Sequence, residues 1–94
     1  MIEKTVTVMN RAGVHARPSA MIVQATKNFK CSIHFEKGAE RINAKSIMGV
    51  ITLGAGYGTR IKITAEGEGA EEAVDIIVKL FESKFEENEE NEML

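Results

Sequence analysis

The chain has 94 residues, 44% of them hydrophobic, with twelve Lys and Arg against fourteen Asp and Glu for a net charge of −2. That length allows one small domain around one core and excludes separate cofactor and substrate domains, so function is expected at the surface and not in a deep pocket. No apolar run is long enough to span a bilayer, no signal-peptide pattern follows Met1, and the single Cys31 excludes an internal disulfide and a cysteine metal cluster, which together predict a cytoplasmic protein with no membrane insertion, cofactor or metal.

Ile2 to Val8 alternates as a strand, with Ile2, Val6 and Val8 on one face, Thr5 and Thr7 on the other, and Lys4 snorkelling at the edge of the apolar face. The segment that follows, Ala12-Gly13-Val14-His15-Ala16-Arg17-Pro18-Ser19, carries the chemistry. Proline lacks an N–H and fixes φ, so Pro18 marks the first turn of a helix, and Gly13 lets the strand turn sharply into it. A helix start presents unpartnered amides and the positive end of the macrodipole, which favour an anion. Histidine is nucleophilic and largely neutral at physiological pH, so His15 can accept a phosphoryl group and later release it, while Arg17 neutralises the added charge. A histidine alone at such a place would serve equally as a cap or a solvated loop residue; Arg17 and Pro18 beside it decide for phosphoryl chemistry.

Ala16 to about Lys27 reads as a helix with Ala16, Ala20, Val23 and Lys27 on its apolar stripe, broadened by Met21 and Ile22. Cys31 to Glu36 alternates again, placing Cys31, Ile33 and Phe35 inward and Ser32, His34 and Glu36 outward, so Cys31 is a core residue and His34 a solvated one. Lys37-Gly38-Ala39 turns the chain into a short strand, Glu40 to Asn43, completing a hairpin. Ser46 then precedes a short apolar helix over residues 47–53 as its N-cap. Gly54-Ala55-Gly56-Tyr57-Gly58 lacks the lysine and following helix of a nucleotide loop and reads as a turn.

Arg60 to Ala65 is a strand with Ile61, Ile63 and Ala65 inward, and Glu66 to Gly69 turns the chain into a last helix. Glu71 and Glu72 sit at the positive end of that helix, and Ala70, Ala73, Val74, Ile77, Leu80, Phe81 and Phe85 recur at helical spacing as its core stripe. Five acids, Glu86, Glu87, Glu89, Glu90 and Glu92, lie in the last nine residues, and without them twelve bases face nine acids. Residues 86–94 therefore read as an acidic disordered tail on a mildly basic domain.

The order β-α-β-β-α-β-α predicts an α+β open-faced sandwich: a four-stranded, mainly antiparallel sheet with three helices on one face. Thr5, Thr7, Ser32, His34, Lys62 and Thr64 are expected on the other, solvated face.

Gly13-Val14-His15-Ala16-Arg17-Pro18, followed by Asn43-Ala44-Lys45-Ser46-Ile47-Met48-Gly49 and Leu53-Gly54, resembles the HPr family, the histidine-containing phosphocarriers of the bacterial phosphoenolpyruvate-dependent sugar phosphotransferase system. The resemblance covers residues 1–85 as one phosphocarrier domain. It implies that His15 accepts a phosphoryl group on Nδ1 from Enzyme I and passes it to the IIA domains of sugar permeases, as a carrier and not a turnover enzyme. It implies further that Ala16, Ala20, Met21, Ile47, Met48 and Ile51 form the docking surface, although helical spacing alone leaves Ile47 and Ile51 open as core positions. Ser46, by itself an N-cap, matches the serine that HPr kinase/phosphorylase modifies, and that modification brings in a catabolite-control transcription regulator as a further partner. Ala12 departs from the hydroxyl residue many members carry, Gly56-Tyr57-Gly58 is an unusual loop, and the tail is longer than usual. The alternative within the family is a mainly regulatory protein acting through Ser46. A sheet-based nucleic-acid module is disfavoured, because the chain has no Trp, one Tyr and no aromatic interleaving on the outward strand face.

Overall fold

In the computed structural model, which describes residues 1–86, the elements are β1 (Ile2–Thr7), α1 (Ala16–Thr26), β2 (Ser32–Lys37), β3 (Glu40–Asn43), α2 (Ile47–Leu53), β4 (Arg60–Glu66) and α3 (Ala70–Glu82). A 3-10 turn, Lys84–Glu86, follows α3. The strands form one sheet in the order β1-β4-β2-β3, with each neighbouring pair antiparallel. The α+β open-faced sandwich expected from the element order is the observed architecture.

Period-two alternation determines which side of the sheet is covered. Ile33 and Phe35 of β2 and Ile61, Ile63 and Ala65 of β4 are buried in one cluster with Ile22 of α1, Val50 and Leu53 of α2, and Ala73, Val74, Ile77 and Phe81 of α3. Burying a side chain of this size stabilises the fold by about 1.5–3 kcal/mol. Cys31 lies in the same cluster, as its parity predicted. On the open face the register sets Thr5, Lys62, Glu36 and Arg41 in one row across the sheet. Lys62 Nζ lies 3.7 Å from Glu3 and 3.8 Å from Glu36, whose carboxylate is in turn 3.7 Å from Arg41 Nε.

Three local expectations need correction. In α1 the buried residues are Pro18, Ser19, Ile22 and Thr26, whereas Ala16 and Lys27 are exposed and Ala20 and Val23 only half-buried. Both buried hydroxyls bond backward within the helix: Ser19 Oγ donates to the His15 carbonyl at 2.6 Å and Thr26 Oγ1 to the Ile22 carbonyl at 2.9 Å. Satisfied in this way, they pack as small apolar groups and turn the helix so that Ala16 faces outward and Ala20 lies at the edge of the buried face.

The last helix ends at Glu82 instead of continuing to Phe85. Lys84, Phe85 and Glu86 have φ values of 57, 54 and 59°, a left-handed backbone that L-residues keep only when other contacts hold it. Phe85 supplies those contacts, being fully buried with its ring edge-on to Phe81 at 4.8 Å. Thr64, expected on the solvated face, is buried, because β4 is an inner strand and Thr64 lies between Glu3 and His34 on its two neighbours. Of the expected acidic tail, Glu86 belongs to the last turn, and residues 87–94 lie outside the described residues.

Candidate functional site

Between β1 and α1 the chain is fastened to the loop that follows α2. Val8 N–H donates to the Thr59 carbonyl at 2.8 Å, and Gly58 N–H to the Val8 carbonyl at 2.7 Å. A turn then closes with Gly13 N–H on the Asn10 carbonyl at 3.1 Å, while Asn10 Nδ2 donates to the Gly13 carbonyl at 2.6 Å. Val14 N–H donates to the Ala55 carbonyl at 2.8 Å. Gly13 is required twice over: its φ is +75°, and a Cβ there would stand 2.8 Å from the Ala55 oxygen. The glycine-rich loop, read from sequence as turn chemistry, thus also seats the segment leading to His15.

His15 is the N-cap of α1, with φ −96° and ψ −158°, and its side chain is exposed and makes no capping hydrogen bond. Its carbonyl accepts from both Ser19 N–H, at 2.9 Å, and Ser19 Oγ, at 2.6 Å. Pro18 has no amide hydrogen, so the amides of Ala16 and Arg17 precede the first intrahelical bond and are oriented toward an incoming anion. There is no acidic residue in the first turn to occupy the positive end of the dipole. The imidazole therefore stands, open to solvent, at the positive end of an eleven-residue helix.

Arg17 lies two residues further on, at the second position of α1, and is exposed. Its guanidinium donates to the Phe85 carbonyl at 3.2 Å, across 68 residues of sequence. The left-handed turn after α3 thus presents a carbonyl to the His15 end of α1. A guanidinium has five N–H donors, so this bond leaves others for a second acceptor.

Ser46 is the N-cap of α2, and its Oγ accepts from Gly49 N–H at 3.0 Å. Gly49 leaves space around this hydroxyl, since a Cβ there would lie 3.3 Å from it and 3.2 Å from the Asn43 carbonyl. Lys45, beside it, donates its Nζ to the Phe29 carbonyl, and its amide to Asn43 Oδ1 at 2.8 Å. These bonds tie the start of α2 to β3 and to the chain just after α1.

α1 packs beside α2, so the outward residues of both share one surface. Val50 and Leu53 are the core residues of α2; Ile47 and Met48 are 42% and 68% exposed, and Ile51 is half-buried. On α1, Ala16 is exposed, Ala20 is half-buried, and Met21 is half-buried with part of its surface on the core. Sequence reading gave the site no part for Asn10, for Ala55, read only within a turn, or for Phe85, read only as a core residue. Asn10 alone had a local signal, since asparagine at the first position of a turn with glycine at the fourth is a common turn pattern. Ala55 and Phe85 act through backbone carbonyls, which no side-chain pattern records.

Residues 2–83 match the family model described as the PTS HPr component phosphorylation site. The phosphocarrier protein HPr of Treponema pallidum is 49% identical over 87 residues, which are 93% of this chain and 99% of that protein. The HPr-like protein Crh of Halalkalibacterium halodurans is 38% identical, covering 89% of this chain and all of its own length (100%). Among solved structures, the crystal structure of HPr-C-His from Thermoanaerobacter tengcongensis superposes with a TM-score of 0.89 at 45% identity, over 94% of this chain and 99% of that one. With the fold, the helix-start histidine and these likenesses agreeing, the chain belongs to the HPr family of phosphocarriers of the phosphotransferase system.

Proposed function

We propose that this chain carries a phosphoryl group on His15, taking it from phosphorylated Enzyme I in the cytoplasm and giving it to the IIA domains of sugar permeases. The observation that carries the reading is the uncapped start of α1, where the exposed His15 side chain lies beside amides free of intrahelical bonds and no acid competes. In the transfer step, the lone pair of the imidazole Nδ1 attacks phosphorus. The bond from phosphorus to the donor breaks, and its electron pair leaves with the donor; the return step to a IIA acceptor is the same exchange in the other direction. The phosphoryl oxygens gain charge-assisted hydrogen bonds from Ala16 N–H, Arg17 N–H and the Arg17 guanidinium, which exchanges its bond to the Phe85 carbonyl for one to phosphate. Positioning and charge do this work, as phosphoryl transfer requires. Ala16, Ala20, Met21, Ile47, Met48 and Ile51 form the partner surface, where the flexible methionines adapt to partners of different shape.

Ser46 supplies the regulation. A phosphoserine at the start of α2 is accommodated by the helix dipole yet adds nearly two negative charges beside Ile47 and Met48, which disfavours Enzyme I and creates a site for a regulator. HPr kinase/phosphorylase is the modifying enzyme in this reading, and a catabolite-control transcription regulator is the reader. The likeness to an HPr-like protein named Crh favours, as a second reading, a chain whose main output is this Ser46 signal.

Intact-mass measurement after incubation with phosphoenolpyruvate and Enzyme I from the same organism separates the two. One acid-labile phosphoryl group, absent from His15→Ala, is expected for the carrier. An unmodified wild-type chain under those conditions moves the function to Ser46.

A further inference from the structure

Near His15 the buried polar side chains among the described residues are Ser19, which bonds the His15 carbonyl, and Asn10, and phosphoryl transfer gives neither a part. Asn10 is 1% exposed. Its Nδ2 donates to the Gly13 carbonyl at 2.6 Å, whereas its Oδ1 is buried without a hydrogen-bond partner. Burying an unpaired amide oxygen is costly, and an apolar residue would fill the same space without that cost. The return for keeping a carboxamide here is therefore the single bond to Gly13.

That bond controls a specific peptide plane. The carbonyl of the Gly13–Val14 peptide accepts from Asn10 Nδ2, and the N–H of the same peptide donates to the Ala55 carbonyl at 2.8 Å. It is thus gripped at both ends. On the other side of His15, the His15–Ala16 peptide is held through its carbonyl by Ser19 N–H and Oγ. The Val14–His15 peptide is thus the single link between two fixed planes, and the upstream plane loses half of its support if Asn10 cannot donate.

We propose that Asn10 is a positioning residue for His15: by fixing the Gly13–Val14 peptide plane it sets the angle at which the imidazole meets the phosphoryl group. The inference rests on the carrier reading given above. Asn10 touches neither partner nor phosphate, so its removal should change the rate of transfer within the docked complex and leave docking itself nearly intact.

The test compares wild type, Asn10→Ala, the near-isosteric Asn10→Asp, which replaces the donor with a carboxylate facing a carbonyl, and Ile77→Ala, a destabilised core variant remote from the loop. Phosphorylation by Enzyme I with phosphoenolpyruvate is measured over a range of carrier concentrations. For both Asn10 variants the limiting rate is expected to fall about tenfold or more, the scale of a small misalignment, while the half-saturating concentration moves less than about threefold. Ile77→Ala should lose thermal stability and keep its limiting rate. Unchanged limiting rates in the Asn10 variants overturn the proposal, as does a loss that Ile77→Ala reproduces. Should neither Asn10 variant fold, wild-type NMR decides: phosphorylation should shift the Asn10 side-chain amide signals and leave those of Asn28 in place, and unshifted Asn10 signals overturn it. A wild-type chain that takes no phosphoryl group at all defeats the carrier reading instead, a separate outcome.

Discussion

The starts of α1 and α2, two helices that pack against each other, are built in opposite ways. At α2 the N-cap side chain completes its own helix, Ser46 Oγ accepting from Gly49 N–H at 3.0 Å. At α1 the N-cap side chain makes no such bond, and neither helix has an acid in its first turn. A serine cap satisfies one of the orphan amides and is worth about 1 kcal/mol to a helix. Leaving the α1 start without that bond sacrifices local stability and keeps a receptor for an anion. The lesson is that a helix N-terminus becomes a phosphate site by what its cap declines to do as much as by the charge nearby.

The largest test of this contrast is to give α1 a side-chain cap, which must accept from the Arg17 amide because Pro18, at the position Gly49 holds in α2, has no N–H. Asparagine is among the strongest N-cap residues, so His15→Asn should close the α1 start on itself. Two effects of opposite sign are expected: phosphoenolpyruvate-dependent labelling disappears, and thermal stability rises by up to about 1 kcal/mol. Intact-mass analysis reads the first and thermal denaturation the second. A destabilised His15→Asn would mean that the imidazole contributes to the fold in a way the missing cap bond does not suggest.

The parts of this contrast that are local in sequence were legible there, and the parts that depend on the tertiary structure were not. Alternation and helical period located the four strands and three α-helices of the described residues, because each element carries its own period. Ser46 as a cap was equally plain, since its partner Gly49 is three residues away. The face of α1 was misread because Ser19 and Thr26 count as polar by composition, yet their back-bonded hydroxyls pack as apolar groups. The end of α3 was misread because Phe85 continues the helical stripe, and only its burial against Phe81 turns the chain into the left-handed conformation. Arg17 drew notice for its charge, but its bond to a carbonyl 68 residues away has no trace in any local pattern.

An intermediate effect is expected from Gly13→Ala, which attacks the scaffold of the α1 start and leaves the α2 start alone. The substitution forces an L-residue to hold φ +75° and pushes a methyl against the Ala55 oxygen, which also receives the Val14 amide. Left-handed strain and a weakened hydrogen bond together should cost about 2–3 kcal/mol. Amide exchange provides the sharper comparison. Protection of Val14 N–H should fall by more than the loss of global stability, while Gly49 N–H, capped by Ser46, should follow the global change alone. Equal additional losses at both amides would show that the two starts form one cooperative unit.

The smallest effect belongs to the start that already caps itself, and there a pair of substitutions separates capping from charge. Ser46→Ala removes the bond to Gly49 and should cost about 1 kcal/mol, with His15 labelling by Enzyme I unchanged. Ser46→Asp keeps an acceptor at the cap and favours the helix dipole, so its stability should stay within a few tenths of a kcal/mol of wild type. Yet it sets a negative charge beside the exposed Ile47 and Met48, so labelling should slow. The two variants thus dissociate in opposite directions, one losing stability with transfer intact and the other losing transfer with stability intact. If Ser46→Asp transfers at the wild-type rate, charge at the α2 start does not reach the partner surface, and the regulatory reading of Ser46 loses its physical basis.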